Sequence, residues 1–151
     1  MELKVKKMHE DAELPVYATD GSACFDLKVL KADLPYQRMF LQNGESMVLR
    51  TGLAFEIPKD HVMLVFSRSG QGFKYDTRLS NCVGVIDSDY RGEVMVKLTK
   101  DSGSTPELTI KEGDAIAQAM IVPVQTVEFV LVDDLSDTDR GENGFGSTDR
   151  H

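Results

Sequence analysis

Alternation of period two, repeated over short distances along most of the chain, limits the possible folds more than any other feature. Phe25, Leu27 and Val29 alternate with Cys24, Asp26 and Lys28, and Leu53, Phe55 and Ile57 repeat the pattern. Val94, Val96 and Leu98 follow it again, as do Val127, Phe129 and Leu131. "HVMLVF" and "AIAQAMIV" are unbroken apolar runs and read as strands buried on both faces. Turn residues cluster between these segments, in "QNGES", "IPKD", "KDSGSTPE" and "KEGD". Short strands at such close spacing predict an all-β sandwich or barrel. A helical stripe is missing throughout, and the one place that suits a short helix follows "SRSG", through "QGFKYDT". At 151 residues the chain is one domain with a real core. The apolar period stops after Leu135, which predicts a β-domain over 1–135 and a tail over 136–151.

Charge excludes some partners. The net charge of −8 argues against nucleic acid, whose backbone requires a basic face. Half of that excess lies in residues 133–151, which hold six acids and two arginines. A polyphosphate ligand would be repelled by the overall field, so its binding would depend on local arginines, backbone amides and a divalent cation. No apolar run reaches the length of a membrane span, and "MELKVKKMHEDAEL" lacks the apolar core of a secretion signal. The expected location is therefore the cytoplasm, or the host-cell cytoplasm for a viral chain. Cys24 and Cys82 show no CxxC spacing and read as buried free thiols.

Some stretches are not explained by folding alone. In "SRSGQG", Arg68, Ser69 and Gly70 follow an apolar strand and would open a helix, offering N–H groups, a hydroxyl and a guanidinium to an anion. They also suit an ordinary glycine turn with a solvated arginine. "NCVGVIDSDYRGEVMV" reads as two strands joined by a hairpin turn at "DSDYRG". Asp89 and Gly92 are good turn residues. Asp87 follows apolar Ile86 at the strand end, where burial would raise its pKa and suit it to act as a base. Gln118 sits inside an apolar strand and needs a partner, either a neighbouring strand or a ligand. Asp26, in a similar strand, suits a structural carboxylate as well as a functional one. The closing "RGENGFGSTDRH" is rich in glycine, with Phe145 between two of them. By itself it is a frayed end.

Taken in order, "GSACFDL", "SRSG", "GVIDSDYRGEV", "GDAIAQ" and "RGENGFGST" resemble the five motifs of the homotrimeric dUTPase family, from Ala18 to Arg150. The resemblance implies a distorted β jelly roll of the β-clip kind, in one domain with a short helix and a flexible C-terminal tail. It implies hydrolysis of dUTP to dUMP and pyrophosphate with Mg²⁺, which keeps uracil out of DNA and supplies dUMP for dTMP synthesis. It also implies a homotrimer whose active sites are shared between subunits, with dUTP as the small-molecule partner and neither nucleic acid nor membrane.

By the same resemblance, Asp87 holds and activates the water that attacks the α-phosphorus. Arg68, Ser69, Gly70 and Gln118 contact the phosphates. The Asn81 side chain and the backbone from Asn81 to Tyr90, Gly84 included, read the edge of uracil and exclude a methyl at C5. Tyr90 packs under deoxyribose and leaves no room for a 2′-hydroxyl. Asp26 lies near the water shell of the metal. Arg140 reaches the γ-phosphate, Phe145 covers the uracil ring, and Gly146 and Ser147 complete the closing tail.

The chain departs from the family pattern at Ser67, usually Pro, at Asn143 and Asp149, usually Gly, and at Arg78, usually apolar. None of these positions has a chemical task; Asp149 adds negative charge to a segment that closes over phosphates, and Arg78 suits a subunit interface. Competing readings are a related dCTP deaminase, a protein that also binds dUTP as a regulatory signal, and a purely structural jelly roll. "IDSDYRGE" and the Gly-Phe-Gly tail favour dUTPase over the first. The presence of Asp87 favours catalysis over the others.

Overall fold

The computed structural model describes residues 1–144; residues 145–151 lie outside the described part. The regular secondary structure of the described chain is almost entirely β. Its strands are β1 (Lys4–Lys7), β2 (Val16–Tyr17), β3 (Phe25–Lys28), β4 (Arg38–Leu41), β5 (Ser46–Arg50) and β6 (Leu53–Glu56). Then follow β7 (His61–Phe66), β8 (Thr77–Leu79), β9 (Val83–Ile86), β10 (Met95–Lys100), β11 (Leu108–Lys111) and β12 (Ala115–Pro123). A single α-helix, α1 (Ser69–Tyr75), falls where the sequence left room for one.

The largest sheet has five strands in the order β2-β3-β12-β7-β9. A three-stranded sheet runs β5-β10-β8, and two pairs, β1-β6 and β11-β4, complete the set. Every pairing is antiparallel. One cluster of buried side chains draws on all four sheets, including Leu27, Met63, Leu49, Leu98, Phe55 and Ile110. That shared core makes the separate sheets one domain.

The alternating apolar sets at Phe25, Leu27 and Val29, at Leu53, Phe55 and Ile57, and at Val94, Val96 and Leu98 are all buried. Four expectations are corrected. β7 is not buried on both faces: only Met63 and Val65 are fully buried, and the other four residues of the strand are half-buried. Cys24 is half-buried and Cys82 is exposed, although both are free. The alternation at Val127, Phe129 and Leu131 forms no strand, and these side chains are exposed. Finally, "DSDYRG" does not close a hairpin. β9 pairs with β7 in the five-stranded sheet, whereas β10 pairs with β5 and β8, so Asp87–Val94 crosses between sheets.

Candidate active site

Two separate polar clusters emerge from this topology. The first lies where β3, β12 and β7 meet the start of α1. Gln118 on β12 stands directly opposite Asp26 on β3 and Phe66 on β7. Between Ala115 and Ala117 the β12–β3 register slips, and such an irregularity re-aims the backbone locally. The Ala115 carbonyl accepts from Arg68 Nη1 at 3.4 Å and from Gln71 Nε2 at 3.1 Å. Arg68 also pairs with Asp26, Nε to Oδ1 at 3.4 Å, with both side chains partly exposed. The Gln118 amide donates to the Ser67 carbonyl at 3.0 Å. Its strand-bonding role and its place at a cavity are therefore compatible.

α1 carries two glycines among its seven residues, so intrinsic propensity does little to hold it. Tertiary bonds hold it instead. Gln71 is buried against Ala115, and Asp76 ends the helix in the left-handed conformation at φ 48° with its N–H on the Gln71 and Gly72 carbonyls. Lys100, fully buried, donates to the carbonyl of Tyr75 and, at 2.7 Å, to Thr105 Oγ1. This anchoring places Arg68, Ser69, Gly70 and Gln118 around one cavity of about 490 Å³, which Lys74, Thr109 and Asp114 also line.

The second cluster lies along β9 and the segment that leaves it. A tight turn, with Cys82 at φ 65°, sets Asn81 at the head of the strand. Gly84 is buried, and a Cβ there would come within 3.1 Å of Val65 Cβ, so glycine permits the close approach of β9 to β7. Asn81 and Gly84 line a cavity of about 310 Å³, and Asp87 and Tyr90 line an adjoining one of about 230 Å³. Val85, Ile86, Val94 and Met95 border both cavities. Asp87 is exposed rather than sheltered behind Ile86, so this chain alone does not supply the burial expected of its carboxylate.

The crossing segment is held firmly. The Tyr90 N–H donates to the Asp87 carbonyl at 3.1 Å, and Arg91 Nη1 donates to the Ser88 carbonyl at 2.7 Å. Glu93 fastens its far end. Arg50 Nε lies 3.0 Å and Nη2 2.9 Å from Glu93 Oε2, and the Gly52 N–H reaches Oε1 at 2.8 Å.

No residue that lines the α1 cavity lines either of the others. The structure thus joins Asp26, Arg68, Ser69, Gly70 and Gln118 in one place and Asn81, Gly84, Asp87 and Tyr90 in another. Arg140 belongs to neither, being exposed in a turn with its Nε on the Asn143 carbonyl. Phe145, Gly146 and Ser147 lie outside the described residues. The sequence reading missed Gln71, whose Oε1 is the one buried side-chain oxygen without a partner among the described residues. It also missed Glu93, whose only signal was a carboxylate placed directly before buried Val94. Ser67, at the position where proline is usual, has a use here: its Oγ accepts the Leu79 N–H at 2.8 Å. Arg78 pairs with Asp101 of its own chain at 3.0 Å.

Fold and site together define an all-β, jelly-roll protein with arginine, hydroxyl and amide groups around one cavity and a carboxylate and a tyrosine at another. The profile of the dUTPase family matches residues 10–149. A deoxyuridine 5′-triphosphate nucleotidohydrolase of Nautilia profundicola is 43% identical over 148 residues, covering 98% of this chain and 99% of its own. One from Burkholderia cenocepacia is 42% identical over 152 residues, covering 100% and 99%. Among solved structures, a mutant dUTPase of Staphylococcus bacteriophage 80alpha with dUpNHpp superposes with a TM-score of 0.82. It is 26% identical, with 97% of each chain covered. The chain belongs to the dUTPase family.

Proposed function

We propose that this protein hydrolyses dUTP to dUMP and pyrophosphate at sites completed by neighbouring copies of the chain. The observation that carries the reading is the division of the motif residues into two clusters that share no cavity, on a chain matched almost throughout by the dUTPase family. A phosphate-binding cluster from one subunit and the Asn81–Tyr90 segment of another would together form a whole site. The exposed side chains of Phe129, Val130, Leu131 and Leu135 support an assembly as well. A contiguous apolar segment of this kind calls for a cover, which a second copy in a homotrimer would provide.

In the assembled site, Arg68, Ser69, Gly70 and Gln118 bind the triphosphate, and Asn81 with the backbone through Gly84 reads uracil. Tyr90 lies under the deoxyribose. Asp87 holds a water and takes its proton as the oxygen attacks the α-phosphorus; the bond to the β-phosphate breaks and pyrophosphate leaves. Asp26 is the carboxylate beside Arg68 and Gln118, and no three acidic, histidine or cysteine side chains converge among the described residues. That donor set suits a cation held chiefly by triphosphate oxygens and water. Mg²⁺, when bound, would neutralise charge on the triphosphate and orient the α-phosphorus. Arg140 would reach the γ-phosphate, with Phe145, Gly146 and Ser147 closing over the uracil.

Complementation between two inactive variants tests this reading. Asp87→Asn removes the base and should lower kcat for dUTP by roughly 10²–10⁴-fold. Arg68→Ala should weaken triphosphate binding. Co-expressed, the two variants should regain turnover, because some sites then combine an intact Arg68 from one chain with an intact Asp87 from another. A mixture no more active than either variant alone would refute the shared site, and near-normal turnover by the Asp87 variant would remove that residue from the role.

A further inference from the structure

Gly92 is one of the turn residues in "DSDYRG", yet its backbone does not need glycine. The left-handed glycines among the described residues are Gly44, Gly52, Gly113 and Gly141, and Gly92 is not one of them. What it provides is space. A Cβ at Gly92 would fall 2.5 Å from Cζ and 3.0 Å from Cε2 of Tyr90, and closer still to its hydroxyl oxygen. Carbon atoms in contact sit about 3.5–4.0 Å apart, so the ring and even a methyl group cannot both remain in place. The ring is further fixed by its hydroxyl, which donates to the Glu93 carbonyl at 3.2 Å. Tyr90 therefore lies back over its own turn, clasped between the bare Cα of Gly92 and the next carbonyl. In that position it borders the cavity that also contains Asp87.

We propose that Gly92 is a specificity-determining position. The missing side chain is the slot that holds the Tyr90 ring flat, and so sets how strongly the site rejects ribose in favour of deoxyribose. The inference rests on the reading of Tyr90 as the sugar platform. Since the atoms a methyl would meet are at the far end of a side chain, the ring rather than the backbone yields. An alanine at this position should leave the fold intact and swing the platform away. Rejection of a C5 methyl, assigned to the backbone near Asn81 and Gly84, should be unaffected.

The experiment compares kcat/KM for dUTP, UTP and dTTP in the unaltered enzyme, Gly92→Ala, Tyr90→Ala and the double variant, with melting curves for each. A pocket that rejects an added hydroxyl by shape discriminates by about 10²-fold, so Gly92→Ala should relax the dUTP-over-UTP preference by about tenfold or more. The dTTP ratio should hold. In the Tyr90→Ala background the extra methyl meets nothing, and the Gly92 substitution should then change the UTP ratio by less than about twofold, as expected of two groups acting through one contact. If Tyr90→Ala relaxes UTP rejection and Gly92→Ala does not, the slot is refuted while Tyr90 keeps its role. Should Tyr90→Ala itself leave UTP rejected, the reading of Tyr90 fails. An equal loss toward all three substrates, or an effect of Gly92→Ala that persists without Tyr90, would assign the glycine to the backbone and overturn the proposal.

Discussion

Neutralising Glu93 should loosen the segment that carries Asp87 and Tyr90, and the structure sets the size of the effect. The carboxylate is 15% exposed and accepts from both Arg50 and the Gly52 N–H. Glu93→Gln keeps the shape and one oxygen, which can still serve Gly52, but turns an NH₂ toward the guanidinium. Hydrogen bonds to charged groups contribute about 1.5–3 kcal/mol each. Arg50 is 40% exposed and also lies 3.7 Å from Asp33 Oδ1, so it can turn to water and to a second acid. Solvent screening therefore reduces the whole set to about the contribution of one such bond, a loss of about 1.5–3 kcal/mol in all. For a chain of this size, 1 kcal/mol moves Tm by roughly 2–4 °C, which gives a fall of about 3–12 °C. Thermal unfolding followed at one fixed protein concentration measures it, because the assembly proposed above would make Tm depend on concentration. Arg50→Met and the double variant complete a cycle in which the two losses should be less than additive. A fall below about 1 °C would mean that the pair contributes no more than an exposed ion pair and that the segment is held elsewhere.

Two further expectations concern the tail and the thiols. The chain contains no tryptophan, so Phe145→Trp gives a lone reporter: its emission should change on adding a non-hydrolysable dUTP analogue with Mg²⁺ and much less with dUMP, and truncation after Thr138 should cut turnover severely. An unresponsive indole together with a fully active truncated enzyme would make the tail a frayed end. Burial, and then the neighbouring Asp26 carboxylate, push the Cys24 thiol above its ordinary pKa, so the reactive thiolate should form only at higher pH. In a Cys82→Ala background, the alkylation rate of Cys24 against pH should have its midpoint above about 8.5, and Asp26→Asn should lower that midpoint. A midpoint at or below the ordinary value would refute the assignment.

Much of the fold was legible because period-two alternation reports directly on burial. Leu27, Leu53, Phe55, Val96 and Leu98 are buried as their spacing required. Pairing was less legible. Adjacent strands in sequence are often partners, and "CVGVI" and "EVMVKL" invite that reading. Here β9 finds β7 and β10 finds β5 and β8. Val96 and Leu98 of β10 do turn into the common core, but β9 leaves Val83 and Val85 exposed and sets Gly84 against Val65. Local sequence holds no record of such long-range choices. The segment at Val127, Phe129 and Leu131 shows a related limit. Alternation identifies side chains that need cover without saying whether this chain or another provides it.

The candidate site was legible as motifs and illegible as geometry, and charge explains part of the reason. Arg68 was expected to offer a free guanidinium to an anion, but on this chain Asp26 and the Ala115 carbonyl already engage it. With a net charge of −8, the chain also opposes a polyphosphate at long range. A single subunit thus presents a partly neutralised arginine in one cavity and an exposed Asp87 in another. Neither is well suited to hydrolysis. Bringing the two together would exclude water, strengthen an arginine–phosphate contact in a lower dielectric and give Asp87 the sheltered setting that its proposed role as a base requires. A sequence names the groups that take part in such chemistry. On the function proposed above, the surroundings that make them effective come from neighbouring copies, and an isolated chain with every motif intact should have little activity.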